Sequence, residues 1–391
     1  MHAMTLESFN VRYRNDIAFG VDICRSALES YIRSTAPRRA FLVTGRRSAK
    51  VSGAYDVVAK VLEEQGITFD VFDRVSTNPS LSIAEECLEH ARRANPDVII
   101  AIGGGSVIDV AKNVALALAT GCTISDLFWG RATARGKVNL VAINLTHGSG
   151  TEADRYAVLT DESTCIKRAV VSEYAYPSLS IDDPKFTTTL PRDQTIYTSI
   201  DAFYHCLEAS SSVFTSPFTR TLAETGLRLI VQHIARAVFD PHDIEARYWL
   251  MYAALLGGIC IDNSRTHLVH AVEHAISGLR PDIAHGLGLA VVGPRLISFL
   301  YSKAPHAFSI LRCLIPDLRL RPEEHRRVEH YLTQLVRQFG IECSLTYLKL
   351  GKDDIPRIVK LTYEGSPHLL DMAPYKPDEA ELKNILEQLV T

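Results

Sequence analysis

The sequence of 391 residues predicts an α/β half built on a Rossmann-like parallel sheet, followed by an all-helical half. Three observations carry this prediction. Short β-branched runs alternate with longer amphipathic ones over residues 38–146, long helical stretches follow residue 182, and a proline- and threonine-rich turn lies between them. The predicted strands are 40–44, 69–74, 98–102 and 140–145. Between them, 54–64, 83–93 and 107–119 place apolar residues at helical spacing among good helix formers. The turn at 181–192 contains Pro184 and Pro191 and is the predicted hinge. Beyond it, 197–210, 220–238, 243–261 and 267–277 read as helices, and the domains are placed at 1–183 and 184–391.

Composition narrows the function classes. A hydrophobic content of 47% over this length supports two cores. The formal charge of −3 comes from 42 basic and 45 acidic residues with no long run of either, so nucleic acid and anionic membrane surfaces are not expected partners. No basic-then-apolar leader precedes Arg14, and no apolar run reads as long enough to cross a bilayer. The eight cysteines stand far apart without a Cys-x-x-Cys pair, which predicts free thiols in a reducing, cytoplasmic setting.

Two loops in the first half suit a nucleotide. The strand ending at Ile102 runs into Gly103-Gly104-Gly105-Ser106 and then a helix, where bare backbone and free N–H groups can receive a phosphate. A tight strand-to-helix turn reads the same way, and the spacing is not G-x-G-x-x-G. The second loop, His147-Gly148-Ser149-Gly150-Thr151-Glu152, follows the strand 140–145 and can close around a cofactor or a carbonyl group.

The second half carries a metal-type constellation. Asp201 and His205 are four apart in a helical pattern, His270 and His274 repeat that spacing, and His285 follows in an Ala-His-Gly turn. One carboxylate with two or three imidazoles suits iron(II) or zinc with a position open to a substrate oxygen. His267 reads as a bystander, and Glu208 and Glu273 read as supporting or surface carboxylates.

Together these residues resemble the iron-containing (group III) alcohol dehydrogenase family. The resemblance runs from Leu42-Val43-Thr44-Gly45 through Asn78-Pro79-Ser80, Gly103 to Asp109 and Gly148 to Glu152. It continues in Asp201-Ala202-Phe203-Tyr204-His205 and in His270-Ala271-Val272-Glu273-His274 with His285-Gly286. It implies a nucleotide-binding α/β domain, a helical metal-binding domain and an active site between them. The implied metal ligands are Asp201, His205, His270 and His285, for Fe2+ or Zn2+, with His274 beside the substrate as the catalytic proton relay. The implied cofactor set is Gly45, Arg46, Arg47, Asn78, Gly104, Gly105, Ser106, Asp109, Thr146, Ser149 and Lys167. Family habit implies a homodimer or larger even oligomer.

Two departures from the family pattern refine the expectation. Many NAD-using relatives carry an acidic residue after the first strand, whereas this chain reads Thr44-Gly45-Arg46-Arg47-Ser48, which favours NADP(H) over NAD(H). His147 and Thr151 replace a small residue and a serine. With Arg155 and Arg280, His147 suggests an anionic aldehyde as an alternative to a neutral small alcohol or aldehyde. Two rival functions stay open at this point: dehydroquinate-synthase-like lyase chemistry on the same scaffold, and a non-catalytic metal or nucleotide sensor.

Overall fold

A computed structural model describes residues 8–390. The first half contains β1 (Asp16–Phe19), α1 (Cys24–Thr35), β2 (Arg39–Gly45), α2 (Ser48–Val51), α3 (Ala54–Glu64), β3 (Thr68–Val75) and α4 (Leu81–Ala94). It continues through β4 (Val98–Gly103), α5 (Gly105–Thr120), α6 (Ile124–Phe128), β5 (Asn139–Asn144), β6 (Tyr156–Asp161), β7 (Ile166–Val171) and β8 (Leu179–Asp182). Six strands form one sheet in the order β1-β8-β5-β4-β2-β3, with every pairing parallel. Successive residues of the central strands face opposite layers. Phe41, Val43, Ile99 and Ala101 pack under α4 and α5, while Leu42, Ile100, Val141 and Ile143 pack under α1 and α3.

The helical half holds α7 (Arg192–Ser211), α8 (Pro217–Phe239), α9 (Ile244–Asn263), α10 (Leu268–Leu279) and α11 (His285–Lys303). After these come α12 (His325–Arg337), α13 (Ile355–Gly365), α14 (Pro367–Leu370) and α15 (Glu379–Glu387) around one large apolar core. Contrary to expectation, α9 has the length and composition of a membrane-crossing helix. Most of its apolar side chains are instead buried inside the protein, as in a core helix of a globular fold.

Capping residues account for where helices begin earlier than periodicity suggests. Ser80 accepts a bond from the Ile83 N–H and opens α4 two residues before the expected start. Ser216 accepts from Thr219 N, with Pro217 in the first turn, and does the same for α8. The elements that sequence patterning missed are short or polar. In β8 the sequence Leu-Ser-Ile-Asp buries Ser180 and Asp182, which bond Glu152 O (2.6 Å) and Asn144 Nδ2 (3.1 Å). The β6–β7 hairpin is an antiparallel pair that contributes one wall of the cleft described next.

Candidate functional site

The carboxyl ends of β2 and β4 and the loop after β5 open onto a cleft of about 620 Å3 lined by both halves of the chain. Every residue assigned above to cofactor, metal or catalysis lines this cleft except Arg46. Arg46 is exposed, and its neighbour Arg47 alone brings a guanidinium to that end.

The glycine loop is shaped by close packing. A Cβ on Gly104 would lie 2.6 Å from Thr146 Cγ2, and one on Gly105 would lie 2.6 Å from Ser149 Oγ. The loop 146–149 therefore rests on bare backbone at the start of α5, a 16-residue helix whose first N–H groups and dipole face the cleft. Asp109, one turn into α5, is not a free carboxylate. Thr151 Oγ1 donates to it at 2.6 Å, and burial pushes its carboxyl up to about 6 despite Lys112 nearby.

Four side chains converge in the helical wall. The Nε2 atoms of His205, His270 and His285 lie 3.4, 3.6 and 3.5 Å from one oxygen of Asp201, Oδ1. α7 supplies Asp201 and His205 one turn apart, α10 supplies His270, and the first residue of α11 supplies His285. Gly286 makes the last placement achievable, because a Cβ there would lie 2.0 Å from the Tyr197 carbonyl oxygen on α7. The rings of His205 and His270 stack 4.8 Å apart.

Each imidazole is held from behind through its other nitrogen. His205 Nδ1 lies 3.3 Å from Gly148 O, His270 Nδ1 bonds Glu208, and His285 Nδ1 bonds Glu273. Glu208 is buried and also accepts from Val269 N (2.7 Å), while His267 Nδ1 lies 2.8 Å from it. Glu208 and Glu273 are thus buried supports with no surface role, and His267 belongs to the same support network. This bracing turns the Nε2 lone pairs inward. Asp201 Oδ1 and His270 Nε2 are buried with no hydrogen-bond partner among the described residues.

That arrangement fits a divalent cation. Buried polar atoms without partners are costly, and four donors of one O and three N type around a point are the ligand set of iron or zinc. The charge balance agrees. Burial raises the Asp201 carboxyl, but His205, His285 and His270 outweigh it and hold the group well below the usual range. Burial lowers the His270 imidazole, and Glu208 and Asp201 reverse that to about 9, so the cluster favours positive charge at its centre.

His274, one turn beyond His270, lines the cleft with its ring centroid 5.6 Å from that of His285. Burial, then Lys167 and His285, keep it well below the ordinary imidazole value, so the ring is neutral.

Lys167 lines the cleft with its amine tied to neighbours from both halves. It donates to Asn78 Oδ1 and Ser277 Oγ at 3.0 Å each and sits 3.6 Å from Glu273. Asn78 in turn donates to the carbonyls of Pro281 and Ile283, two residues before His285. Sequence reasoning gave no sign of this latch between halves, since its members are 89 to 205 positions apart.

Three other residues fall outside the cleft. His147 is fully buried against Arg247 Nη1 (3.1 Å) and Thr198, Arg155 pairs with Glu173, and Arg280 pairs with Asp282. None of them reads a substrate charge.

Comparison with known proteins agrees with this geometry. The sequence profile "Iron-containing alcohol dehydrogenase" matches residues 15–184, and "Fe-containing alcohol dehydrogenase family, C-terminal" matches 195–390. The chain is 35% identical over 386 residues to the long-chain primary alcohol dehydrogenase AdhA of Thermoanaerobacter ethanolicus, covering 97% of each. It is 25% identical over 361 residues to the sulfoacetaldehyde reductase of Bilophila wadsworthia, covering 91% of this chain and 92% of that one. The crystal structure of NADH-dependent butanol dehydrogenase A from Thermotoga maritima superposes with a TM-score of 0.91 at 28% identity, covering 98% and 99% of the two chains. The chain belongs to the iron-containing alcohol dehydrogenase family.

Proposed function

We propose that this protein is a metal-dependent alcohol dehydrogenase and aldehyde reductase that uses NADP(H) in preference to NAD(H), with Asp201, His205, His270 and His285 holding Fe2+ or Zn2+. The carrying observation is the convergence of three imidazoles on Asp201 Oδ1 in the same cleft as the Gly104–Gly105 loop. When bound, the metal supplies Lewis acidity that polarises a carbonyl, and the reduced nicotinamide supplies the hydride. The chain's own residues do the rest. The start of α5 takes the cofactor phosphates, the 146–149 loop positions the cofactor against the helical wall, and the cleft walls limit water. His274 is neutral and its Nδ1 has no partner among the described residues, so it can take a proton from the alcohol in oxidation and return it in reduction.

NADP(H) preference is supported by the absence of a carboxylate over Gly45 to Ser48 and by Arg47 at that end of the cleft. With NADPH as donor, reduction is the expected cellular direction. The eight free cysteines suit a reducing, cytoplasmic compartment, and a homodimer or larger even assembly completes the proposal.

The test is purified protein with measured metal content, NADPH or NADH, and a panel of aldehydes followed at the reduced-nicotinamide band. Turnover that requires iron or zinc supports the reading. Metal binding without hydride transfer to any carbonyl compound overturns it in favour of the lyase or sensor functions. A lower KM for NADPH than for NADH, reversed in Arg47→Asp, supports the cofactor choice.

A further inference from the structure

The loop joining α9 to α10 brings a basic group into the cleft that hydride transfer does not use. Arg265 has φ +110°, a left-handed value unfavourable for any residue with a Cβ, and such conformations gather where a side chain is held for a ligand. It lies five positions before His270 and lines the cleft, with its guanidinium 5.8 Å from the Tyr156 ring centroid. His368 of α14 and Arg168 of β7 line the same cleft, and both arginines act electrostatically on the His368 ring.

Neither arginine has a paired counter-charge among the described residues, and Asp371 is the acidic group that acts on the His368 ring. Asp262, three positions before Arg265, is taken by Tyr176 Oη at 2.6 Å and lies 3.7 Å from Arg155 Nε. Asp371, three positions after His368, pairs with Lys376 at 2.6 Å. Among the described residues Arg265 and Arg168 make no ion pair, and Arg168 Nε is buried without a hydrogen-bond partner. Burial, then the two guanidiniums, depress the His368 imidazole against the opposing charge of Asp371, as expected where positive charge is crowded. Like charges gathered in a partly desolvated cleft are unfavourable unless a ligand brings the opposite sign.

We propose that Arg265, supported by His368 and Arg168, forms an anion-binding subsite, and that the carbonyl substrate carries a carboxylate, sulfonate or phosphonate group a few atoms from its aldehyde. This rests on the hydride-transfer reading above and narrows its substrate class. His147, Arg155 and Arg280, the basic residues that the sequence suggests for such a substrate, lie outside the cleft, which supplies different ones.

The experiment compares butanal with 4-oxobutanoate and 3-oxopropanesulfonate as substrates of the metal-loaded enzyme, in the native protein and in Arg265→Gly and Arg265→Lys. Glycine accepts φ +110° without strain, so Arg265→Gly removes the guanidinium while easing the backbone. The expected result is a kcat/KM for at least one anionic aldehyde about tenfold or more above butanal, the size of one hydrogen bond to a charged group. Arg265→Gly brings that ratio to about one through KM, leaves butanal turnover and metal content unchanged, and Arg265→Lys restores part of the ratio. The stronger of the two anions identifies the head group. Butanal turned over as well as both anions, or a ratio unmoved in Arg265→Gly, overturns the subsite and leaves the dehydrogenase reading standing. Failure of all three aldehydes to accept hydride overturns both.

Discussion

Two of the groups of buried charge in this molecule are built in opposite ways. Lys112, on α5, is fully buried and meets four acceptors: Thr151 Oγ1, Asp154 O, Asp154 Oδ1 and Tyr156 O, all at 2.7–2.9 Å. Thr151 donates its hydroxyl hydrogen bond to Asp109, and none of these groups is left without a partner. The group around Asp201 is satisfied only on its outer side, by Glu208, Glu273 and Gly148, while inward atoms of Asp201 and His270 stay unpaired. A closed network of buried charge fixes a loop, whereas one open at its centre is prepared for something to enter.

The contrast is tested most severely at its open end. Asp201→Ala is expected to abolish stoichiometric metal and to lower turnover about a thousandfold or more, matching the several kcal/mol that a Lewis acid contributes. Far-UV circular dichroism should remain native. Added iron or zinc should raise the Tm of the unaltered protein and leave that of the variant in place. A variant with full metal content and an unchanged metal response would show that the convergence of imidazoles is only structural.

The closed network predicts the reverse. Lys112→Met leaves Asp154 buried without its cation, for an expected loss of about 3–5 kcal/mol in urea unfolding. Metal bound per folded molecule should stay the same. Between these extremes lie the supports: Glu273→Gln loosens His285 and is expected to weaken metal affinity about 10–100-fold with little change in stability, measured by competition with a chelator. Equal losses of stability and affinity in both variants would erase the distinction drawn here.

The same contrast explains what could be read from the sequence. The four inward-facing side chains are legible because Asp201 with His205, and His270 with His274, sit at helical spacing, and His285 stands beside a glycine that the close contact with Tyr197 demands. The parallel sheet was legible because β2, β4 and β5 are buried on both faces and read as unbroken apolar runs. What stayed hidden depends on pairings between distant residues. β8 looks polar until Asn144 and Glu152 are placed beside it, nothing near Lys167 in sequence announces its bonds to Asn78 and Ser277, and nothing local marks Arg265 as a cleft residue.

A third pair of buried groups stands between the two and gives the smallest effect. Asp182 of β8 and Glu152 are buried; among the described residues both Glu152 oxygens and Asp182 Oδ2 lack hydrogen-bond partners, and the two carboxyls repel each other's charge. Burial pushes Asp182 up to about 7 against the bond from Asn144, and burial followed by Asp182 drives Glu152 well above its ordinary value. Both folded values lie above those of the unfolded chain, near 4, so the native state keeps protons that the unfolded state releases. The Asp182 contribution to stability is therefore present in full below about pH 4 and is lost as pH rises through about 7, and that of Glu152 is lost in the same direction as pH rises. Asp182→Asn keeps the shape, removes one proton site and relieves Glu152, so the fall in urea midpoint from pH 5 to pH 8 should become shallower, by at most about 1.4 kcal/mol per pH unit for each proton removed. If the pH dependence of the urea midpoint is the same in Asp182→Asn as in the native protein, Asp182 does not keep its proton in the fold over that range.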